Sequence, residues 1–374
     1  MAAVIVEDYQ LTEGKYIYNH DTRHGSQNGI SGKQLDSARA LGISESWDMI
    51  QLDETLQLFW HDITEHYERI GLSHSTNVIW SLNLKHLGSH IGYQPSVYHY
   101  GPEACHYWGD NQWLNTVEYI NSKNNFILTA NNIGVDVPMT LCFKAKSSIS
   151  IDDLQDITFP CYIKTAITEP GIGVYRCENK TQLFENFRKI DSNIPLQIQE
   201  EVKTNTFLNL QYKVVGKGAV RLNASELIVN ANGYSYQGNH VPATHKPWHI
   251  VDPMAEWLVT HGLKGVFTFT LAITQTPSGL RFPVLECVPG FNDDAYPGLI
   301  AEKLNIKEWS TRGFATKYRH LDKIDLRDIE YDHQTGEGAV LVNWGTVLNG
   351  YIEILLAGSS EYQEALAIEL QARL

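Results

Sequence analysis

Cysteine is scarce. The five residues Cys105, Cys142, Cys161, Cys177 and Cys287 are scattered, odd in number and free of any CxxC pair. Such a set argues against a disulfide framework or a structural zinc site and points to a reducing compartment. Long apolar runs are missing as well, so no segment is expected to cross a bilayer. The opening MAAVIVEDYQ acquires acids within a few residues and does not read as a signal peptide, so a cytoplasmic protein is expected. Positive charge is also short. With 29 Lys and Arg against 43 Asp and Glu, the formal charge of −14 repels nucleic acid and anionic membrane surfaces, and neither is an expected partner. A locally basic pocket for a phosphate is still compatible with that balance. No GxGxxG occurs, so a dinucleotide fold has no support.

What is present describes a globular chain. Hydrophobic residues make up 43% and charged residues 19% of 374, enough for a sizeable core in two or three modules. Up to Cys105 the clearest signals are a helix from Asp53 to Ile70 and a strand at Asn77–Leu82. Leu56, Phe59, Trp60, Ile63 and Tyr67 supply the helical spacing. Further on, Asn121 and Ser122 stand ready to cap a helix bearing Phe126, Ile127 and Ala130, with Gly134 as its stop. FPCYIK, LQIQEEV and QYKVVGKGAVRLNASELIV read as strands, the last broken at Gly216-Lys217-Gly218. Pro253 to His261 reads as a helix. VFTFTLAIT and RFPVLECV form a hairpin, and YIEILLAG is followed by a helix capped at Ser359 or Ser360. Strand pairs interleaved with helices give an α+β architecture. The histidines of NHVPATHKPWH lack a metal-ligand spacing, and HYGPEACHYWGDNQW reads as core packing or as the wall of a substrate pocket.

Three segments carry chemistry. Lys164 ends a strand before Thr168-Glu169-Pro170-Gly171-Ile172-Gly173-Val174, where bare amides and an ammonium suit phosphate oxygens. A glycine-bearing hairpin beside a surface lysine has the same pattern. Gln197-Ile198-Gln199-Glu200-Glu201-Val202 alternates as a strand with one face available to a cleft, and the backbone after Glu200 offers the donor and acceptor that an adenine edge needs. A half-exposed acidic strand looks alike. PVLECVPGFNDD ends an apolar strand on Glu286, a hard oxygen ligand suited to magnesium, though an ordinary solvated acid also fits.

The order of these segments resembles the ATP-grasp superfamily of carboxylate–amine ligases, from about Asn115 to Pro297. The resemblance implies an ATP-grasp fold, with nucleotide between two α+β subdomains and an N-terminal pre-ATP-grasp-like α/β domain. Its implied divisions are 1–114, 115–200 for the lid and 201–374 for the C-terminal subdomain. INSKNNFILTANNIGVDVPMT matches the segment of the first family lysine and implies Lys123. FPCYIKTAITEPGIGVY implies Lys164, Gly171 and Gly173, and LQIQEEV implies Gln199, Glu200 and Val202 as nucleotide contacts.

The departures gather at the metal ligands. The family's aspartate becomes Thr270, its Glu-x-Asn becomes Glu286 and Val288, and the following arginine becomes Gly290. Asn292, Asp293 and Asp294 lie just beyond, and Asn292 is the expected second metal ligand beside Glu286. Arg221 is a candidate for holding a substrate carboxylate, or for a surface ion pair. The resemblance implies ATP and Mg2+ as cofactors and a small carboxylate and an amine, such as an amino acid or peptide, as partners. The implied activity is amide bond formation through an acyl phosphate; the similarity to natural-product peptide ligases rests on YSYQGNHVPA and FNDDAYPG. Loss of metal ligands implies the alternative, a non-catalytic nucleotide- or partner-binding protein.

Overall fold

The computed structural model describes residues 5–6, 14–25, 32–167, 173–204, 206–229 and 236–374. Among the described residues, three sheets of four or more strands and one two-stranded ribbon, Thr274–Thr276 with Gly279–Arg281, carry the chain. The N-terminal sheet is parallel, with strands in the spatial order Val78–Ile79, Met49–Gln51, Lys15–Asn19 and Tyr93–Val97. The expected strand at Asn77–Leu82 shortens to two residues, because Ser81 and Leu82 turn away to form a loop. The helix expected from Asp53 begins as a 3-10 turn, Glu54–Phe59, capped by the Asp53 carboxylate, and continues as Trp60–Arg69. Leu56, Phe59, Ile63 and Tyr67 are buried, as the spacing requires, whereas Trp60 is half-buried at the margin of the same core.

The second sheet is antiparallel and small, in the order Thr140–Phe143, Leu196–Glu200, Cys161–Thr165 and Val174–Cys177. One of its faces closes its own core through Cys161, Ile163, Cys177, Leu183, Leu196 and Ile198. Alternation along each strand then turns Tyr162, Lys164, Gln197 and Gln199 to the other face. Helix Lys123–Asn132 buries Phe126, Ile127 and Ala130 in a different core, which anchors this small sheet to the rest of the molecule.

Among the described residues the largest sheet has nine strands. Its first half pairs Val284–Val288, Val266–Ala272, Phe207–Val215 and Gly218–Val229 antiparallel, as the hairpin signals indicated. Strand Ile5–Val6 joins it in parallel beside Ala219 and Val220. Its second half adds Tyr236–Val241, Trp309–Ala315, Tyr351–Ala357 and Gly338–Asn343. Helix Trp248–Thr260 starts five residues before Pro253. The buried side chains Val251, Met254, Ala255 and Leu258 hold that first turn against the sheet and offset the backbone bond that the proline removes. Ser359 caps the final helix, Ser360–Arg373, accepting from the Tyr362 backbone. All five cysteines are free thiols, and among the described residues no helix is long and apolar enough to cross a membrane.

Candidate functional site

The two lysines, separated by forty residues of sequence, meet. Helix Lys123–Asn132 starts against the end of strand Cys161–Thr165, and the Lys123 backbone N–H donates to the Ala166 carbonyl at 2.7 Å. From that start Lys123 reaches across to the large sheet, where its Nζ lies 3.7 Å from Glu286 Oε2. Lys164 Nζ donates to Gln199 Oε1 at 2.7 Å. Burial pulls the Lys164 ammonium down to about 8, the nearby Glu286 carboxylate opposes that fall, and the Lys123 charge adds to it. The three groups therefore come together where the small sheet meets the large one.

Register explains why Glu286 points there. It pairs with Thr270, Thr270 with Asn209, and Asn209 with Ser225, a polar row crossing four strands. Residues two further along form a second row, Val288, Thr268, Gln211 and Asn223, on the same face. The opposite face is apolar, with Phe267, Phe269, Leu208 and Leu210 in the core. Glu286 itself is half exposed, its side chain at 47%. Val284 and Cys287 of its strand are buried, whereas the carboxylate faces open space.

Gly173 is in the left-handed region, at φ 74°, as a turn at the strand start requires. Gly171 lies outside the described residues. The Gln199 amide is committed at both ends, to Lys164 through its oxygen and to Thr140 Oγ1 at 3.0 Å through its nitrogen. It holds the lysine in place. The Glu200 carboxylate accepts from the Met139 backbone at 2.9 Å and lies 3.9 Å from Arg281. Strand Leu196–Glu200 ends there, and Val202 follows half-buried in the connection to the large sheet.

Magnesium held on a nucleotide takes one or two protein carboxylates besides phosphate oxygens and water. Glu286 supplies one at the lysines, the lower limit of that set, so the donors present fit a nucleotide-borne ion. The remaining family positions add little. The Thr270 hydroxyl donates to Asn209 Oδ1 at 2.9 Å, and Val288 is apolar. Asn292 does not converge on Glu286. Its Oδ1 accepts from Gln211 Nε2 at 3.2 Å, two strands away from Val288. Among the described residues no group of three or more His, Cys, Asp or Glu is arranged to hold a metal ion. The glycine that replaces the family arginine has a steric reason. A Cβ on Gly290 would come within 2.8 Å of the Tyr98 carbonyl, to which the Phe291 backbone N–H is bonded.

Arg221 requires correction as a substrate-carboxylate group. It lies opposite Tyr212 on the apolar face, pairs with Asp252 at 2.6 Å and rests over the Trp248 ring, beneath helix Trp248–Thr260. The Tyr212 hydroxyl donates to the same aspartate at 2.8 Å. The sheet separates this cluster from Glu286. Replacing Arg221 by alanine is expected to cost about 1–3 kcal/mol of stability, because Asp252 loses its cation. Nucleotide affinity should not change, which thermal melting and a binding titration on one preparation would check.

Sequence reading missed a buried polar network at the far end of the same floor. Arg39 is 2.7 Å from Asp293, 3.6 Å from Asp36 and 3.8 Å from Glu353. Asn343 donates to Asp36, while Gln211 and Ser225 both donate to Asp294. Burial pushes the Asp294 carboxyl up to about 7, and it also raises Glu353, against the pull of Arg39. Two signals were available in the sequence: Asn343 in GAVLVNW and Glu353 in YIEILLA are polar residues inside apolar strands.

A scan against protein-family models finds no match, and no curated protein matches by sequence. Solved structures do match. An N5-carboxyaminoimidazole ribonucleotide synthetase in complex with ADP aligns over 99% of this chain and 98% of its own, with a TM-score of 0.60 and 13% identity. The N5-carboxyaminoimidazole synthetase of Staphylococcus aureus complexed with ADP covers 99% of both chains, at 0.60 and 12%. An L-amino acid ligase from Bacillus licheniformis covers 83% of this chain and 94% of its own, at 0.53 and 14%. At these identities the likeness is one of fold.

Proposed function

From the ATP-grasp fold of this chain, we propose that it is an ATP-dependent ligase that joins a carboxylate to an amine. The observation that carries the proposal is the convergence of Lys123, Lys164 and Glu286 between two sheets. In the reaction, a substrate carboxylate oxygen attacks the γ-phosphorus of ATP, ADP leaves, and an acyl phosphate forms. The amine nitrogen then bonds to the acyl carbon, phosphate departs with the C–O electron pair, and the nitrogen loses a proton. Such transfers depend on positioning and on neutralising charge on the phosphoryl group. Lys123 and Lys164 supply that charge, with Gln199 fixing where the second points. Magnesium, held by Glu286 and phosphate oxygens, would supply further neutralisation there.

The testing experiment is magnesium-dependent ADP release with mixtures of amino acids and peptides. Release that needs both a carboxylate and an amine supports the ligase. A second reading, a nucleotide-binding protein without turnover, is favoured by Thr270 and Val288 at ligand positions. It predicts no release with any mixture, and ATP binding indifferent to magnesium.

Affinity for ATP should also follow pH in a defined direction. Lys164 loses its proton in the free protein as pH rises through about 8, well below an ordinary lysine. Nucleotide binding, which needs the charge, is expected to weaken between pH 7 and 9. Titrations at both values would show this, and equal affinities would remove Lys164 from the phosphate site.

A further inference from the structure

Alternation along strand Phe207–Val215 puts Lys213 on the same side as Asn209 and Gln211. There it lines a cavity of about 170 Å³ toward the amino edge of the N-terminal parallel sheet. Tyr16 and Tyr18 come from strand Lys15–Asn19, Trp47 and Asp48 from just before strand Met49–Gln51, and Glu302 from the last turn of helix Ala295–Lys303. Such a volume suits a small molecule and falls short of the roughly 300–1,000 Å³ of larger ligand sites.

The charged side chains of the lining are Lys213, Lys303, Glu45, Asp48 and Glu302. Most of them are already committed. The Lys303 ammonium donates to the Ser44 and Ser73 carbonyls and pairs with Glu45 Oε1 at 3.4 Å, which uses its three protons. The other Glu45 oxygen accepts from Ser73 Oγ at 3.1 Å. Each Asp48 oxygen accepts a backbone N–H at 2.8 Å, one from Tyr16 and one from Glu45. Lys213 and Glu302 differ. Among the described residues neither side chain makes a hydrogen bond or an ion pair, and the Lys213 ammonium lies 5.0 Å from the centre of the Tyr16 ring.

These two unmatched groups are of opposite sign and share one cavity. Burial draws the Lys213 ammonium below its usual range, and the charges of Glu302, Asp48 and Glu45, in that order, oppose the fall. Glu302 in turn feels Lys213 and, from outside the cavity, Lys307. With two ammonium groups against three carboxylates, the lining disfavours a lone anion, and a lone cation would leave Lys213 without a partner. A molecule bearing both charges satisfies both ends. The site is also separate from the reaction site. Asn209 is level with Thr270 and Glu286, and Lys213 lies four residues further along that strand, roughly 13 Å at about 3.3 Å per residue. Reacting atoms must approach to about 3–3.5 Å, so a molecule held at Lys213 is out of reach of the phosphates.

We propose that this cavity binds a small amino acid as its zwitterion, with the carboxylate on Lys213, the ammonium toward Glu302 and the side chain against Tyr16 and the exposed Trp47. The assignment stands apart from the ligase reading, because the bound molecule is an effector and is not consumed.

Calorimetric titration of the full chain with glycine, alanine and valine, without nucleotide, tests the proposal. The controls each lack one charged group: acetate and methylamine for glycine, propionate and ethylamine for alanine, isovalerate and isobutylamine for valine. At least one amino acid should bind, and both of its controls should bind at least about tenfold more weakly. Lys213→Met should weaken that amino acid about tenfold. Glu302→Gln, at an exposed position, should weaken it about threefold and decides the matter if the first variant fails to fold. Failure of all three amino acids to bind, a control that binds as tightly as its parent, or affinity unchanged in the folded variants would each overturn the assignment. Unchanged affinity in both variants would place the amino acid at the reaction site instead. None of these outcomes bears on ADP release, which tests the ligase reading by itself.

Discussion

Glu286→Gln is expected to reduce ADP release on the order of 10³-fold, or about 4 kcal/mol of transition-state stabilisation, while nucleotide affinity changes far less. The asymmetry follows from the site. The resemblance implies metal ligands at the positions of Thr270 and Val288, and Asn292 is bonded to Gln211, so the proposed reaction leaves that role to Glu286 beside the lysines. Glutamine keeps the shape but removes the charge that would hold a metal. The same change has an electrostatic signature that requires no turnover. The Glu286 charge raises the Lys164 pKa against burial, so its removal should move the pH midpoint of nucleotide binding below that of the parent. ADP release within tenfold of the parent, or an unmoved midpoint, would show that Glu286 is not coupled to the lysines as described.

Lys164→Met should weaken ATP binding by roughly 10- to 100-fold, the range expected for losing a charge-assisted contact to phosphate. Folding should not suffer. In the folded chain the Lys164 pKa lies below its ordinary value, so the folded state disfavours the charged form. That cost is fully present at neutral pH and disappears as pH rises past the unfolded value. Methionine has no such cost, and it fills a similar volume beside Tyr162. The melting temperature at pH 7 is therefore expected to be equal or higher, less the small loss of the Gln199 hydrogen bond. Unchanged ATP affinity in a folded Lys164→Met protein would place the phosphates elsewhere.

These expectations differ in how far they can be read from the chain. Lys164 is legible because local rules act on it: alternation puts it opposite Ile163, and the glycines after it mark a turn. Glu286 is legible for the same reason, as the acid at the end of an apolar strand. Arg221 was misplaced because alternation says only that a residue is on one face or the other. Which face meets the cleft depends on helix Trp248–Thr260 covering the other, a contact between segments far apart in sequence. The Arg39 network was missed for a related reason. Asn343 and Glu353 each stand out as polar residues in apolar strands, but no period links them to Asp36, Arg39 and Asp293 in separated stretches.

The N-terminal sheet shows the same limit. Its strands are two to five residues long, too short for a reliable pattern, and their parallel pairing arises from crossovers that local sequence does not encode. Buried amides such as Asn19 and Gln51 look like loop residues until the loop that they hold is seen above them.

What the amino-acid sequence determined alone was the run of strands and helices, the lysine and glutamate at strand ends, and the glycines between them, because propensity, alternation and turn chemistry act over a few residues. The meeting of Lys123, Lys164 and Glu286, the burial of Arg221 behind the sheet and the cavity beside Lys213 were decided by tertiary structure. Each depends on apolar faces far apart in the chain packing together, and only that packing sets which polar groups share a space.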